Sequence, residues 1–184
     1  GEGGRFGLQP VIMEYVTDRF VNHAYEELEL EEFKLLESHA FIKAQAKDYV
    51  REIQIRLILN PVTEWMLKLL RKDGSEAKLK RILKELQKKG IRTSGYLAGN
   101  ILNLLVELKC DLRNYDFSNL RIWQAYLRDV SLPSVNFAHA DLTKSVFIDA
   151  FGTILSVALS PNGEFLAAGT ANGEIRLWYA TSGK

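Results

Sequence analysis

The chain has 184 residues, 24 Lys and Arg against 23 Asp and Glu, and one cysteine. With 47% hydrophobic residues and a mean hydropathy of −0.10, it reads as a globular chain able to bury a core. A disordered chain, a membrane-spanning chain, an internal disulfide and a cysteine-rich metal site are excluded, and the balanced charge argues against a dedicated nucleic-acid binder. The single cysteine fits a reducing, cytoplasmic setting. Because the chain starts at Gly1 without Met or a signal-like segment, it is expected to be a piece of something longer.

From Val11 to about Lys109 apolar residues recur at helical spacing. Ile12, Tyr15, Val16, Arg19 or Phe20, and His23 predict one amphipathic helix, and Ile42, Ala46, Tyr49, Ile53 and Leu57 a second. Asn60-Pro61 pairs a capping residue with a first-turn proline and predicts a new helix carrying Trp65, Leu69 and Leu70. Asp73-Gly74-Ser75 ends that helix, and Ser75 caps the next, striped by Leu79, Ile82, Leu83 and Leu86 and closed at Gly90. A last helix runs from Thr93 or Ser94 with the stripe Leu97, Ile101, Leu104, Leu105 and Leu108. Gly95 and Gly99 weaken it by about 1 kcal/mol each, which makes sense if another backbone approaches closely there.

Charge is segregated. Residues 26–37 hold six glutamates against Lys34, a local charge of −5, while residues 68–92 hold ten bases against three acids, a local charge of +7. Lys78, Arg81, Lys88 and Lys89 mark a candidate basic surface for nucleic acid or an acidic partner. Few aromatics interleave with these lysines and the apolar stripe already explains the segment, so a solvated helix face is the preferred reading.

After Lys109 a period of five begins: Leu112, Phe117, Ile122, Leu127, Leu132, Phe137, Leu142 and Phe147. Five residues turn an α-helix by about 500°, so no helix keeps these eight on one side. Cys110-Asp111-Leu112-Arg113-Asn114, Tyr115-Asp116-Phe117-Ser118-Asn119 and Ala140-Asp141-Leu142-Thr143-Lys144 resemble the A(D/N)LXX units of pentapeptide-repeat proteins. That resemblance implies a right-handed, four-sided β-helix with the central residue and the small residue two before it pointing inward. Eight units then make two coils, only about 10 Å tall at the usual strand spacing, and need a cap that the last helix can supply. Cys110 falls at an inward position and is read as structural rather than reactive. Arg121, Tyr126 and Val146 replace the usual polar residue, so irregular turns are expected there. Some members of the family mimic DNA to bind topoisomerase, but a charge of −1 over residues 110–149 argues against that role here.

Ile154–Ser160, Phe165–Gly169 and Glu174–Trp178 are β-type runs joined by Ser160-Pro161-Asn162-Gly163 and Ala171-Asn172-Gly173, which predicts a three-stranded meander. The order V-A-L-S-P-N-G, L-A-A-G, A-N-G, I-R-L-W resembles one blade of a WD-repeat propeller, with Trp178, Asn172 and Gly173 at signature positions and Tyr179 in place of the usual Asp. A propeller takes about four to eight blades. One incomplete blade leaves Leu155, Val157, Leu159, Phe165, Ile175 and Trp178 without native neighbours, and self-association through the unpaired strands is expected.

No catalytic, cofactor-binding or metal site emerges. His23, His39 and His139 share no ligand spacing, and the Gly1–Gly7 segment matches no phosphate loop. The fold class expected is α+β in several parts: a helical arm (1–109) capping the β-helix (110–149), then the partial blade (150–184). This order, with Gly4–Thr17 resembling the end of a winged-helix module, resembles the middle of large bacterial, cyanobacterial-type STAND signalling ATPases of the NACHT or NB-ARC class. The resemblance implies a non-catalytic connector between an upstream nucleotide-binding core, where the parent's ATP would bind, and a downstream propeller. Its partners would be other domains of the parent and further proteins, with no membrane contact. The alternatives are a standalone protein-interaction module, or a weak nucleic-acid binder working through helix 68–92.

Overall fold

Residues 10–89, 95–147, 154–170 and 175–180 are described by the computed structural model, which divides into the units Gly1–Ile148 and Asp149–Lys184. In the first unit the helices are α1 (Pro10–Leu30), α2 (Leu35–Ser38), α3 (Asp48–Gln54), a π-helical turn (Ile55–Leu59), α4 (Asn60–Lys89) and α5 (Leu97–Glu107). The pentapeptide segment follows them. The arm and the repeats share one hydrophobic core, which runs from Val21 to Leu127.

Several helices depart from the periodicity. In α1 the buried face is Val21, Ala24 and Leu28, whereas Ile12, Tyr15 and Val16 are about half exposed, because α2 and α4 pack only on the later turns. The predicted helix from Ile42 begins only at Asp48. Phe41, Ile42 and Ala44 are buried in a turn segment whose amides are taken by side chains from elsewhere: Phe41 N–H donates to Asn100 Oδ1 (2.8 Å) and Ala44 N–H to Gln124 Oε1 (2.8 Å). Tertiary partners outbid helix formation there, and Tyr49, Ile53 and Leu57 are left exposed.

α4 starts at Asn60 as predicted, but Asn60 does not cap it, since its own backbone is helical. α3 passes through the π-helical turn into α4, and this wider turn takes up a proline that can neither donate to the preceding turn nor fit against its carbonyl. The predicted stop at Asp73-Gly74-Ser75 is replaced by a break at Arg71, which has φ 57° and ψ −179°. The stripe Leu79, Ile82, Leu83 and Leu86 is buried as predicted, and Gly90, Thr93 and Ser94 lie outside the described residues. Glu27 of α1 accepts the Lys34, Leu35 and Leu36 N–H groups (2.9, 2.7 and 2.9 Å), satisfying the otherwise orphaned donors of the one-turn α2.

Every residue of α5 from Leu97 to Leu105 is buried, so this helix is a core element rather than a surface one. Both glycines act as read from the sequence. A Cβ on Gly99 would lie 1.9 Å from the Trp123 carbonyl oxygen, and one on Gly95 would lie 2.0 Å from that of Glu37.

Over residues 110–147 the backbone repeats with the side chains. Lys109, Asn114, Asn119, Gln124, Asp129, Ser134, His139 and Lys144 all have φ between 54° and 62°. From Asn114 on, each occupies the third position of a tight turn, the place where type II turns need positive φ, as shown by the Tyr115 N–H to Leu112 O bond (3.1 Å) and the Ala140 N–H to Phe137 O bond (3.0 Å), whereas Lys109 ends α5, with the Cys110 N–H bonded to the Leu105 carbonyl (3.1 Å). Asp or Asn before the central residue caps the turn: Asp111, Asp116, Asn136 and Asp141 each accept the N–H two residues ahead. The irregularity expected after Arg121 and Tyr126 is absent, since Gln124 and Asp129 keep the same φ. The Tyr126 N–H, whose counterparts Asn136, Asp141 and Val146 donate to carbonyls four repeats earlier, here donates to Asn103 Oδ1 of α5 (2.8 Å).

Parallel bridges join Asp116 to Asn136, Arg121 to Asp141 and Tyr126 to Val146. Residues four repeats apart are therefore stacked, and Phe117 lies over Phe137 with ring centroids 5.5 Å apart. Leu112, Phe117, Ile122 and Leu127 are buried under α5; Leu132, Phe137 and Leu142 are half-buried and Phe147 is exposed.

The second unit is an antiparallel sheet in the order β1 (Ile154–Leu159), β2 (Phe165–Thr170), β3 (Ile175–Tyr179). Gly163, at φ 71°, closes the β1–β2 turn. Alternation along the register puts Val157, Leu159, Leu166 and Ala168 on one face and Ala158, Phe165, Ala167, Leu177 and Tyr179 on the other, so both faces are apolar.

The α5 contacts set two expected outcomes. Gly99→Ala forces the helix away from Trp123 and destabilises the fold by about 3 kcal/mol or more. Asn100→Leu strands the Phe41 N–H and the Leu36 and His39 carbonyls and costs a similar amount, at about 1–3 kcal/mol per orphaned group. Urea unfolding followed by far-UV circular dichroism measures both; midpoints equal to the wild type would refute this account of the packing.

Candidate functional site

Searching the described residues for chemistry leads to the seam between α4 and the first repeats. Glu76 projects from α4 and is mostly sheltered. Its Oε1 accepts the Tyr115 hydroxyl (2.7 Å) and pairs with Lys80 Nζ (2.7 Å), one helical turn along. Lys80 also lies 4.5 Å from the centre of the Tyr115 ring, so the cation is held by a carboxylate and an aromatic face together. These bonds place the Glu76 carboxyl below its ordinary value of 4.5, chiefly through Lys80 and against the cost of its burial.

Cys110 adjoins this cluster. Burial, then the Glu76 charge, pushes its thiol from 9.0 up to about 11, and the same causes raise the Tyr115 hydroxyl. The nucleophilic thiolate is thus disfavoured, in line with a structural Cys110. Beside the cluster opens a groove of about 400 Å³ with Leu83 at its side and Lys84 and Arg113 at its rim. Gln87 spans it, donating to the Asp116 and Ser118 carbonyls (3.1 and 3.3 Å).

The candidate basic surface meets the acidic segment of the same chain. Lys78 Nζ lies 3.2 Å from Glu31 and donates to the Glu29 carbonyl (3.3 Å), and Arg81 pairs with the same Glu31 carboxylate. Lys88 pairs with Glu85 (2.6 Å), and Lys89 acts electrostatically on Glu37. Each such exposed pair is worth about 0–1 kcal/mol, but together they consume much of the field that a distant polyanion would feel. Their opposite charges, −5 and +7, were visible in the sequence; that they face each other was not.

Of the repeat positions, those four repeats apart are stacked, Phe117 on Phe137 among them. Trp178 stands in β3 with its backbone opposite Leu166, while Asn172 and Gly173 lie outside the described residues. His39 and His139 are exposed on separate elements, and among the described residues no group of three His, Cys, Asp or Glu side chains could hold a metal. Nor is any helix long and apolar enough to cross a membrane. Sequence reasoning missed Glu76, Tyr115, Asn100 and Asn103. Asn100 and Asn103, polar residues inside an apolar stripe, were the one local signal.

Comparison with known proteins agrees with the repeats. Residues 110–147 match the pentapeptide repeat family in eight copies. Over 98% of its length the chain is 38% identical to an uncharacterized WD repeat-containing protein of Nostoc sp., of which it covers 17%. A second uncharacterized WD repeat-containing protein of the same organism is 42% identical over 48% of this chain and 6% of its own length. The chain therefore spans about a sixth or less of the relatives it matches, and it is homologous to segments of WD repeat-containing cyanobacterial proteins. No solved structure matches.

Two measurements probe the seam. A carboxyl held below 4.5 adds stability that is complete above that value and is lost as pH falls through its lower folded value. The stability difference between wild type and Glu76→Gln is therefore expected to shrink as pH falls below 4.5 in urea titrations; a difference that stays constant throughout the acid range refutes the role of the charge. At pH 8, Cys110, its thiol pushed up to about 11 by burial, is expected to react with a disulfide reagent about a hundredfold more slowly than a free thiol. A rate equal to the free thiol's would show the site to be open.

Proposed function

We propose that the chain is a connector in a larger signalling protein of the STAND type, joining an upstream nucleotide-binding core to a downstream WD propeller. The observation that carries this reading is the contrast between the two units. The helical arm and repeats are fused into one core, as a rigid spacer must be. The sheet of the second unit is apolar on both faces, as a propeller blade packed between neighbours must be. The WD repeat-containing relatives, several times longer than this chain, support a sheet that works as the first part of a propeller.

In the same reading the pentapeptide segment is a two-coil, four-sided, right-handed β-helix. Bonds between residues 19 or 21 apart, such as Phe117 N–H to Asn136 O (2.8 Å) and Asn136 N–H to Tyr115 O (2.9 Å), support one coil per four repeats. The chain itself performs no catalysis, ATP is held upstream, the partners are the flanking domains, and the setting is cytoplasmic. Half-exposed Tyr49, Ile53 and Leu57, one helical turn apart along one path, support a second reading as an interaction module that binds another protein.

The reading frame around the coding segment tests the proposal: a Walker-type phosphate loop upstream and further Trp-terminated repeats downstream are expected. A frame lacking the upstream loop overturns the ATPase connector and leaves the interaction module. Because Lys78 and Arg81 are engaged by Glu31, gel-shift assays at low salt are expected to show no DNA or RNA binding; a retarded band would favour the nucleic-acid reading.

A further inference from the structure

The basic side of α4 spends most of its charge inside the chain. Lys78 and Arg81 share Glu31, Lys88 pairs with Glu85, Lys80 with Glu76, and Lys72 donates to the Lys109 carbonyl. Lys84 is exposed and has no such partner among the described residues, and the same holds for the exposed guanidinium of Arg113 in the first repeat. These two cations come from separate elements and line one groove, the opening of about 400 Å³ beside Tyr115.

On the α4 side the groove is built from Lys80, Leu83, Lys84 and Gln87, spaced so that one helix face carries all four. Lys80 and Lys84, one turn apart, repel each other. The acid lining the groove is Asp116, and its Oδ1 is already taken by the Ser118 N–H (2.9 Å) and by Asn136 Nδ2 (3.0 Å). Positive charge is therefore left over at this place.

Amide groups stand beside the cations. Gln87 donates through Nε2 to the Asp116 and Ser118 carbonyls, and its Oε1 accepts nothing among the described residues. The Asn114 side chain, exposed on the repeat side of the groove, makes no bond among them either. Donors and acceptors suited to a peptide backbone thus lie next to charges suited to carboxylates.

We propose that this groove binds a short acidic peptide, whose carboxylates pair with Lys84 and, two-pronged, with Arg113, while Asn114 and Gln87 Oε1 hold its backbone. A nucleic-acid backbone or free phosphate would satisfy the cations but brings no N–H group to Gln87 Oε1 or to the second oxygen of Asp116, so acceptors would face acceptors. A peptide uses both sets. The volume is that of a small-ligand site and suits a few residues of extended chain, not a duplex. The site belongs to the seam between α4 and the repeats and does not depend on the connector reading.

The test titrates the whole chain with an end-blocked hexapeptide of alternating Glu and Ser, followed by backbone amide chemical shifts. Shifts centred on residues 80–87 and 113–116 are expected, and the same peptide with Gln for Glu is expected to bind about tenfold more weakly or less. Lys84→Glu and Arg113→Glu, both at exposed positions, each weaken binding about tenfold, because reversal turns a charge-assisted bond into a repulsion. Lys68→Glu makes the same change of net charge on an earlier turn of α4 and leaves the affinity within about twofold. Asn114→Gly keeps the positive φ, removes only the side-chain amide and weakens binding about threefold. No binding below about 1 mM, shifts centred elsewhere, or equal affinity for the neutral peptide overturns the proposal. Inorganic phosphate or a single-stranded oligonucleotide that binds these residues more tightly than the acidic peptide overturns it as well. Each of these failures leaves the connector reading intact, and a reading frame without the upstream loop does the reverse.

Discussion

The close approach of Gly99 in α5 to the Trp123 carbonyl fixes most of what surrounds it. The first four pentapeptide repeats would present an apolar face to water, and α5 covers it only because glycine lets the helix backbone lie on the repeat backbone. With that distance set, Asn103 reaches two sites at once, donating to the Gln124 carbonyl (3.0 Å) and accepting the Tyr126 N–H. On the opposite side Asn100 holds the Leu36 and His39 carbonyls and the Phe41 amide. α5 thereby ties the first turns of the arm and the first coil to a single helix, and buried polar side chains fix the register that apolar packing leaves loose.

Around this centre the polar groups mostly serve each other. Arg51, buried, donates to the Ala44 and Ala46 carbonyls and stacks on the Tyr126 ring at 4.0 Å, fastening the segment before α3 to the coil. Glu76, Lys80 and Tyr115 fasten α4 to the coil, and Glu31 fastens Lys78 and Arg81 to the start of the arm. The acidic and basic blocks, each suggestive of an external partner when read separately, meet as two sides of one fold. Such pairs add little stability singly; their consequence is positional, since they choose which face of α4 turns toward α1.

The repeats and strands were legible because their rules are local. A period of five with Asp or Asn before the central residue encodes its own turn, as Asp111, Asp116 and Asp141 show by capping the amides two residues ahead. The stripes of α5 and of Leu79–Leu86 were legible for the same reason: each helix buries one continuous face. Ile42–Ala46 and Asp73–Ser75 were misread where local preference lost. The first segment is held out of helix by Asn100 and Gln124, far away in sequence, and the second is helical at Gly74 because the break falls at Arg71 instead. Nothing in the spacing of α4 foretells that choice.

By itself, then, the sequence determined the kinds of structure present: helices, five-residue repeats, and short strands with Asn-Gly turns, together with the need for glycine at positions 95 and 99. Each is written in side-chain periodicity or in a backbone angle that few residues tolerate. Tertiary structure alone decided where the helices start and break, which half of α1 is buried, and that residues 26–37 face residues 68–89. Those outcomes depend on partners tens of residues apart, and the energies that select them, a hydrogen bond to a buried amide or a surface ion pair, exist only once the chain has brought both ends together.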